Sequence, residues 1–124
     1  MNTTLPAPVR TYITAVNAFD GDSMIAAFTP DATVNDARRE FYGIDAIRAW
    51  ADREIIGDKV TMNVIGMRTH QAFVIVDAEM NGDYDKAGLP EPLVLTHYFT
   101  LADDHITQLI IILNKPTPSW AEPQ

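Results

Sequence analysis

The spacing of apolar residues changes at Gly57 and Asp58, and this change constrains the fold more than any other feature of the sequence. Before it, apolar residues recur at helical spacing and predict helices after Pro8, around Met24 to Phe28, and from Ile44 to Ile56. After it, segments rich in Val, Ile, Met and Thr predict strands over residues 59–70, 72–81, 93–101 and 106–113. Helices followed by antiparallel strands predict an α+β domain, in which one curved sheet wraps over helices on one side.

One segment of the helical half departs from helical spacing. Its centre, Ala32 to Asp36, is predicted to be a short strand that is entered through the turn signal Pro30-Asp31. Side chains alternate along a strand, so Asp36 shares a face with Val34 and Ala32. A carboxylate on a buried face is rarely left there without a reason. We therefore expect the rest of the chain to form a cup around Asp36.

Length, charge and composition exclude several classes of protein. A chain of 124 residues predicts a single domain over residues 1–124, and its net charge of −8 argues against nucleic-acid and anionic-membrane partners. The absence of cysteine excludes disulfides and thiolate metal sites. The amino terminus has neither a basic region nor an apolar run, and no apolar stretch is long enough to span a membrane. We expect a cytoplasmic protein.

Three polar residues interrupt apolar faces: Tyr12 on the first helix, Asp36 on the first strand and His97 on the strand 93–101. Each has an ordinary structural interpretation, as a core tyrosine, a capping aspartate and a core histidine. Together, a carboxylate, an imidazole and a phenol in one apolar cavity would provide a base, a second proton carrier and a hydrogen-bond donor. Burial would also raise the pKa of the carboxyl toward neutrality.

Other polar residues are weaker candidates. His70 and His105 fall at turns, and Arg38, Arg39 and Glu40 are expected to form an exposed edge, where a pocket role for one of them is less favoured. No metal-binding or dinucleotide-binding motif is present in the sequence. The long loop from Asn81 to Pro92 is a candidate rim or lid, and we expect this loop and the proline-rich tail to shape the pocket.

The order of elements and two sequence motifs resemble a known superfamily. The motifs are Phe-Thr-Pro-Asp-Ala-Thr-Val-Asn-Asp (28–36) and Tyr-Gly-Ile-Asp-Ala-Ile-Arg-Ala-Trp (42–50). With a helix and a short helix before them and a run of strands after them, they resemble the nuclear transport factor 2-like superfamily, in its SnoaL-like and ketosteroid-isomerase-like branch. The resemblance implies a cone-shaped, curved, mixed or antiparallel sheet over three N-terminal helices. This fold serves isomerases, cyclases, dehydratases, epoxide hydrolases and binding modules.

The resemblance also implies roles for individual residues. In the steroid isomerases, a tyrosine of the first helix donates to the oxyanion and corresponds to Tyr12, while the general-base aspartate corresponds to Asp36. Their second donor, a protonated aspartate, corresponds to His97, and this departure points toward the dehydratase and cyclase members. We expect an apolar pocket lined by further residues of the same elements: Val16, Phe28, Val34, Trp50, Leu95 and Phe99.

The sequence thus predicts a cofactor-independent, metal-free acid–base catalyst for an apolar, carbonyl-bearing small molecule, with isomerase, cyclase or dehydratase chemistry. The alternative is a binding or dimerisation module of the same fold. The alternate face of the strand 93–101, formed by Val94, Thr96, Tyr98 and Thr100, is expected to pair with a second copy of the chain under either interpretation.

Overall fold

The computed structural model describes residues 5–114, which form three α-helices, a π-helix and six strands. The helices are α1 (Ala7–Asn17), α2 (Gly21–Ala26) and α3 (Gly43–Trp50), and α3 continues directly into the π-helix Ala51–Ile56. The strands are β1 (Phe28–Asp36), β2 (Arg39–Tyr42), β3 (Thr61–His70), β4 (Phe73–Asn81), β5 (Leu93–Ala102) and β6 (His105–Leu113).

All six strands form one mixed sheet, in the order β2-β1-β6-β5-β4-β3. Strands β1 and β6 are parallel, and every other neighbouring pair is antiparallel. The sheet is curved and not closed, and the helices pack against one of its faces. The predicted α+β cone with three N-terminal helices is confirmed. Among residues 5–114, no helix is long and apolar enough to cross a membrane.

The strand register brings the two predicted strand site residues into one row. Asp36 pairs with Ile111, and Ile111 pairs with His97. Directly paired residues point to the same face of a sheet, so these three side chains all face the helices. Asp36 and His97 are two strand spacings apart, or about 10 Å at the backbone. Ile111 separates them.

The core lies between the helices and the inner face of the sheet. Its largest fully buried side chains include Trp50, Tyr12 and Phe99. The Tyr12 ring packs edge-on against Phe28 at a centroid distance of 5.8 Å and against Phe99 at 5.6 Å. Burial of each large apolar side chain contributes roughly 1.5–3 kcal/mol, so this aromatic cluster is a main contributor to stability.

Several predicted boundaries are corrected by the structure. Helix α1 includes Pro8 in its first turn and ends at Asn17, so Phe19 lies outside it with φ 56° and is exposed. The N-cap of α2 is Asp20, whose Oδ1 accepts a hydrogen bond from the Ser23 amide at 3.1 Å, and not Asp22 or Ser23. Phe28 belongs to β1 instead of α2, because it pairs with Ile106 of β6, whose amide donates to the carbonyl of the preceding Ala27 at 2.8 Å.

The predicted single helix from Ile44 to Ile56 is also corrected. Its second half is a π-helix, in which the Gly57 amide donates to the Asp52 carbonyl at 2.9 Å. The apolar spacing of this segment is compatible with an α-helix, so periodicity alone did not reveal the wider turn. Short π-helical turns occur frequently at functional sites.

Helix α1 is attached to the edge of the sheet by one amide side chain. Asn17 Nδ2 donates to the Met62 carbonyl at 3.0 Å, and the Met62 amide donates to Asn17 Oδ1 at 2.7 Å. We expect Asn17→Ala to lower the free energy of unfolding by about 1–3 kcal/mol, because both partially buried groups of Met62 lose their partner. Urea denaturation would measure the loss.

Thr14→Ala is the matched control, since Thr14 is an exposed residue of the same helix. It should change stability by no more than about 0.5 kcal/mol. An equal loss in the two variants would contradict the proposed role of Asn17.

Candidate functional site

A cavity of about 460 Å³ opens between the inner face of the sheet, the π-helix and the loop after β4. Its apolar wall includes Ile55, Val60, Met80, Leu93, Leu95 and Ile111. Polar side chains also line it, namely Asp36, Arg39, Glu54, Asp58, Tyr84 and Asp85. A largely apolar space with a few convergent polar groups is typical of a small-molecule site.

Asp36 lies at the end of β1, where the strand reaches this cavity. The burial pattern of β1 confirms that Asp36 shares the inner face with Ala32 and Val34, which are fully buried. The side chain of Asp36 remains 20% exposed. The predicted face of Asp36 is therefore correct, and its carboxylate is accessible from the cavity.

The two oxygens of the Asp36 carboxylate have different environments. Trp50 Nε1 donates to Oδ2 at 3.0 Å, and Arg39 Nη2 donates to the same oxygen at 3.2 Å. No residue in the described range 5–114 donates a hydrogen bond to Oδ1. One oxygen is thus held by two donors, while the other is free to accept a proton or a ligand.

Burial raises the pKa of the Asp36 carboxyl, and this is the largest effect on it. The Trp50 hydrogen bond and the Arg39 charge act in the opposite direction, while the charge of Glu54 raises the pKa further. The net result is a raised pKa. A carboxylate that is more basic than a solvated aspartate is suited to general-base work near neutral pH.

Arg39 and Glu54 also take part in the site. A pocket role was the less favoured prediction for Arg39, and none was predicted for Glu54. Arg39 Nη1 and Nη2 bind Glu54 Oε2 and Oε1 at 2.8 and 2.7 Å. Arg39 lies on an exposed edge strand, as predicted, and it also forms part of the rim of the cavity. The signal for Arg39 is the tight turn after Asp36, since a two-residue hairpin places Arg39 opposite Asp36. The sequence carries no comparable signal for Glu54, because its contact with Arg39 joins residues fifteen positions apart in different elements.

Tyr12 lies behind the cavity and not in its wall. Its side chain is 1% exposed and packs within the aromatic cluster. Burial raises the pKa of the Tyr12 phenol, and the nearby charge of Asp36 raises it further. The phenol therefore stays protonated at physiological pH, as a hydrogen-bond donor must.

His97 is buried beside the same wall, next to Ile111 and two residues from Leu95. Its ring stacks on Phe99 at a centroid distance of 6.2 Å. Burial lowers the pKa of His97 to about 4, against smaller opposing effects of the Val76 and Leu95 backbone. The imidazole is neutral at pH 7, and its buried Nδ1 has no hydrogen-bond partner within the described chain. An unsatisfied buried polar atom costs about 1–3 kcal/mol.

The structure brings the three predicted site residues to one side of the sheet, but only Asp36 lines the cavity. Of the predicted lining residues, Leu95 is in the wall. The other five are corrected to core residues outside the wall: Val16, Phe28, Val34, Trp50 and Phe99. The physical reason is packing density, because these side chains fill the space between the helices and the sheet and pack against one another.

The loop from Asn81 to Pro92 forms one rim of the cavity through Tyr84, Asp85 and Leu89, as its length suggested. The proline-rich tail, which was also expected to shape the pocket, lies outside the described residues. Within residues 5–114, no group of three His, Asp or Glu side chains is arranged to hold a metal ion.

Comparison with known proteins identifies the family. The model of the SnoaL-like domain matches residues 9–109. The chain belongs to the SnoaL-like family. No curated protein matches this SnoaL-like chain.

Solved structures with the same fold support this assignment. A candidate polyketide cyclase from Sinorhizobium meliloti is 27% identical with a TM-score of 0.77, over 87% of this chain and 95% of that one. A hypothetical protein with a ketosteroid isomerase-like fold from Catenulispora acidiphila is 18% identical with a TM-score of 0.74, over 88% and 86%. A candidate ketosteroid isomerase from Kribbella flavida is 12% identical with a TM-score of 0.72, over 95% and 80%. The last two similarities show that the SnoaL-like chain shares their fold.

The raised pKa of Asp36 makes a prediction about stability. Its folded state favours the protonated carboxyl, so ionised Asp36 destabilises the fold above its folded-state pKa, and this cost disappears below the unfolded value of about 3.9. We expect Asp36→Asn to raise the melting temperature at pH 7, with the difference shrinking as the pH falls to 3.5. Thermal unfolding at several pH values would measure it.

Asp31→Asn is the control, because Asp31 is an exposed residue of the same strand. It should leave the melting temperature nearly unchanged over this range. A melting-temperature difference between Asp36→Asn and the wild type that becomes more positive as the pH falls from 7 to 3.5 would contradict the raised pKa.

Proposed function

We propose that the chain is a single SnoaL-like domain over residues 1–124 that catalyses cofactor-independent proton transfer on an apolar, carbonyl-bearing small molecule. Asp36 is the general base. The observation that carries the proposal is the free Oδ1 of a desolvated carboxylate that faces a largely apolar cavity. The similarity to a candidate polyketide cyclase, 27% identical, agrees with chemistry of this class.

The proposed reaction begins with the ligand carbonyl and its adjacent C–H bond inside the cavity. Asp36 Oδ1 removes the proton from carbon. The electron pair of the C–H bond forms a carbon–carbon double bond, and the π electrons of the carbonyl group move onto its oxygen to give an enolate. Asp36 is now a neutral acid and returns the proton at the same or another carbon. Return at another carbon gives an isomerase. In a cyclase the enolate carbon attacks a second carbonyl and the resulting alkoxide takes the proton from Asp36, whereas in a dehydratase a hydroxyl group on the next carbon takes that proton and leaves as water. General acid–base catalysis of this kind contributes on the order of 10²–10⁴ in rate.

The hydrogen bond from Trp50 to Asp36 Oδ2 contributes to the proposed proton transfer. Trp50 is fully buried, and its N–H holds Oδ2 while Oδ1 remains available to the ligand. A base that is already oriented loses less entropy on reaching the reactive geometry. The same hydrogen bond moderates the pKa increase caused by burial.

Tyr12 and His97 are the proposed donors to the enolate oxygen. Both are neutral at pH 7, and both lie on the same side of the sheet as Asp36. A neutral donor is appropriate here because it can stabilise developing negative charge without forming an ion pair with the base. Neither donor lines the cavity, so core side chains would have to move before the ligand carbonyl reached either of them.

The alternative function is a binding module that holds such a ligand without turning it over. The placement of Tyr12 and His97 in the packed core favours this alternative, because neither lines the cavity. The two functions are distinguished by whether the carbon next to the ligand carbonyl loses its proton.

Hydrogen–deuterium exchange tests for that proton loss without knowledge of the natural substrate. A panel of apolar cyclic ketones, including β,γ-unsaturated ones, would be incubated with the protein in D₂O and followed by NMR. We expect the wild type to accelerate exchange at the carbon next to the carbonyl of at least one ketone. Asp36→Asn should reduce this acceleration by at least about 10²-fold, because the base is lost.

Asp31→Asn serves as the matched carboxylate control and should exchange like the wild type. Ketone binding by the Asp36→Asn protein, followed through ligand chemical shifts, would show that its pocket persists. Wild-type binding without exchange would reject catalysis and support the binding module. Unchanged exchange in Asp36→Asn would reject Asp36 as the base.

We also propose that the outer face of the sheet pairs with a second copy of the chain. Tyr98 lies in one cross-strand row with Ile75 and Ile110, and its ring packs edge-on against Phe73. Ile112 is 44% exposed beside this row. Thr96, expected on the interface, is already buried within one protomer by hydrogen bonds with Asp77 and Asn114. A continuous apolar sheet face commonly marks a protein interface.

Light scattering coupled to size exclusion would test this pairing. The wild type should elute with twice the mass of one chain. The double variant Tyr98→Lys/Ile110→Lys should elute with the mass of one chain, because charges in the centre of an interface are not solvated. Thr14→Lys, on the exposed side of α1, should remain a dimer. A wild-type monomer at high concentration would reject the proposal.

A further inference from the structure

Arg39 lies where it could inactivate the proposed base. Strands β1 and β2 are joined by a two-residue turn, Ala37-Arg38, whose residues both have positive φ, and Asp36 pairs directly with Arg39. Directly paired side chains point to the same face. A guanidinium beside a carboxylate commonly forms a bidentate pair, which occupies both oxygens and lowers the carboxyl pKa. Such a pair would leave Asp36 without a free, basic oxygen.

The structure shows a different arrangement. Arg39 uses both terminal nitrogens on Glu54, at 2.7 and 2.8 Å, and makes only one longer side-chain contact to Asp36, at 3.2 Å. Its Nε donates to the Asp36 backbone carbonyl at 3.3 Å instead of the carboxylate. The stronger and bidentate partner of Arg39 is therefore Glu54.

We propose that Glu54 is a positioning residue that competes with Asp36 for the Arg39 guanidinium and thereby keeps Asp36 Oδ1 free and basic. The catalytic consequence rests on the proposed function, whereas the competition itself is a property of the folded protein. Glu54 belongs to the π-helix and lies four residues after Trp50. One helical segment thus supplies both the donor that fixes Oδ2 and the carboxylate that holds Arg39.

An exposed ion pair is the simpler explanation of the Arg39–Glu54 contact. Arg39 is 51% exposed and Glu54 is 25% exposed, so the pair would contribute little to stability. Stability measurements cannot separate the two explanations. Measurements of Asp36 ionisation can separate them, because Glu54 affects the pKa of Asp36 through Arg39 only if the two carboxylates compete for the guanidinium.

Within residues 5–114, five elements of the fold present groups to Asp36. Strand β2 presents Arg39, α3 presents the Trp50 N–H, the π-helix presents Glu54, α1 presents the Tyr12 phenol, and β6 presents the apolar Ile111. Arg53 contacts Glu54 at 3.2 Å and not Asp36. Asp58 and Asp85 line the same cavity. The variants below leave all of these groups in place except Arg39 and Glu54.

The indole N–H of Trp50 is a direct reporter of Asp36 ionisation, because it donates to Oδ2. The chain has two tryptophans, so a Trp120→Phe background leaves one indole signal in a ¹H–¹⁵N spectrum. Titration of that signal gives the midpoint for Asp36 without any ligand. We expect Glu54→Gln to shift the midpoint to lower pH and Arg39→Met to shift it to higher pH.

The double variant Arg39→Met/Glu54→Gln tests whether Glu54 acts through Arg39. In the Arg39→Met background, Glu54→Gln should shift the midpoint by less than half of its shift in the wild-type background. Arg48→Met is the control, since Arg48 pairs with the exposed Asp22 on another part of the surface, and it should cause no shift. Equal shifts in both backgrounds, or a shift of Glu54→Gln to higher pH, would overturn the proposal.

Hydrogen–deuterium exchange of the ketones distinguishes a failure of the proposed competition from a failure of the proposed function. If catalysis occurs, the acidic limb of the exchange rate should follow the indole midpoint in each variant, with Glu54→Gln slower at pH 7 because its base is weaker. Indole midpoints that shift as expected while no ketone exchanges would reject the catalysis and retain the competition. The opposite result is exchange that depends on Asp36 while Glu54→Gln leaves both the indole midpoint and the exchange rate unchanged. It would reject the competition and retain the catalysis.

Discussion

The site depends on one constraint: the carboxylate of Asp36 is partly buried, so at least one of its oxygens needs hydrogen-bond donors from the protein. Asp36 ends β1 on the inner face of the sheet, where an unpaired charge would be costly. The Trp50 indole and the Arg39 guanidinium meet this requirement at Oδ2 from two different elements. The end of β1, the hairpin to β2 and the end of α3 are thereby held in one geometry. The cavity begins at the remaining oxygen.

The fold separates a packed region from an open one along the same sheet face. Tyr12 and Phe99 belong to the packed region, where their buried aromatic rings are in edge-on contact. His97 lies at its boundary, with an unpaired Nδ1 beside the cavity wall. Burial lowers the pKa of His97 and raises that of Asp36 and of Tyr12, so burial favours the neutral form of all three groups. Asp36 also has two charged neighbours with opposite effects on its pKa: Arg39 lowers it and Glu54 raises it.

Different parts of the structure were predictable to different degrees, for identifiable reasons. Alternation along β1 was sufficient to place Asp36 with Ala32 and Val34, because a strand has only two faces. The resemblance carried by residues 28–36 and 42–50 led to the family. The π-helix was not predicted, since its apolar spacing also suits an α-helix. The depth of Tyr12 was not predicted either, because periodicity shows which face is buried but not how far a cavity extends.

The sequence by itself determined the class of fold, the family and the inner-face position of Asp36, all of which follow from local periodicity and local motifs. Tertiary structure decided which groups surround that carboxylate. Arg39 reaches it through a hairpin, and Glu54 reaches Arg39 from a helix fifteen residues further along the chain. Such contacts depend on distances between elements, which side-chain periodicity does not encode. Tertiary packing likewise placed Leu95 in the cavity wall and Trp50 behind it, because volume in a packed interior is shared among all elements.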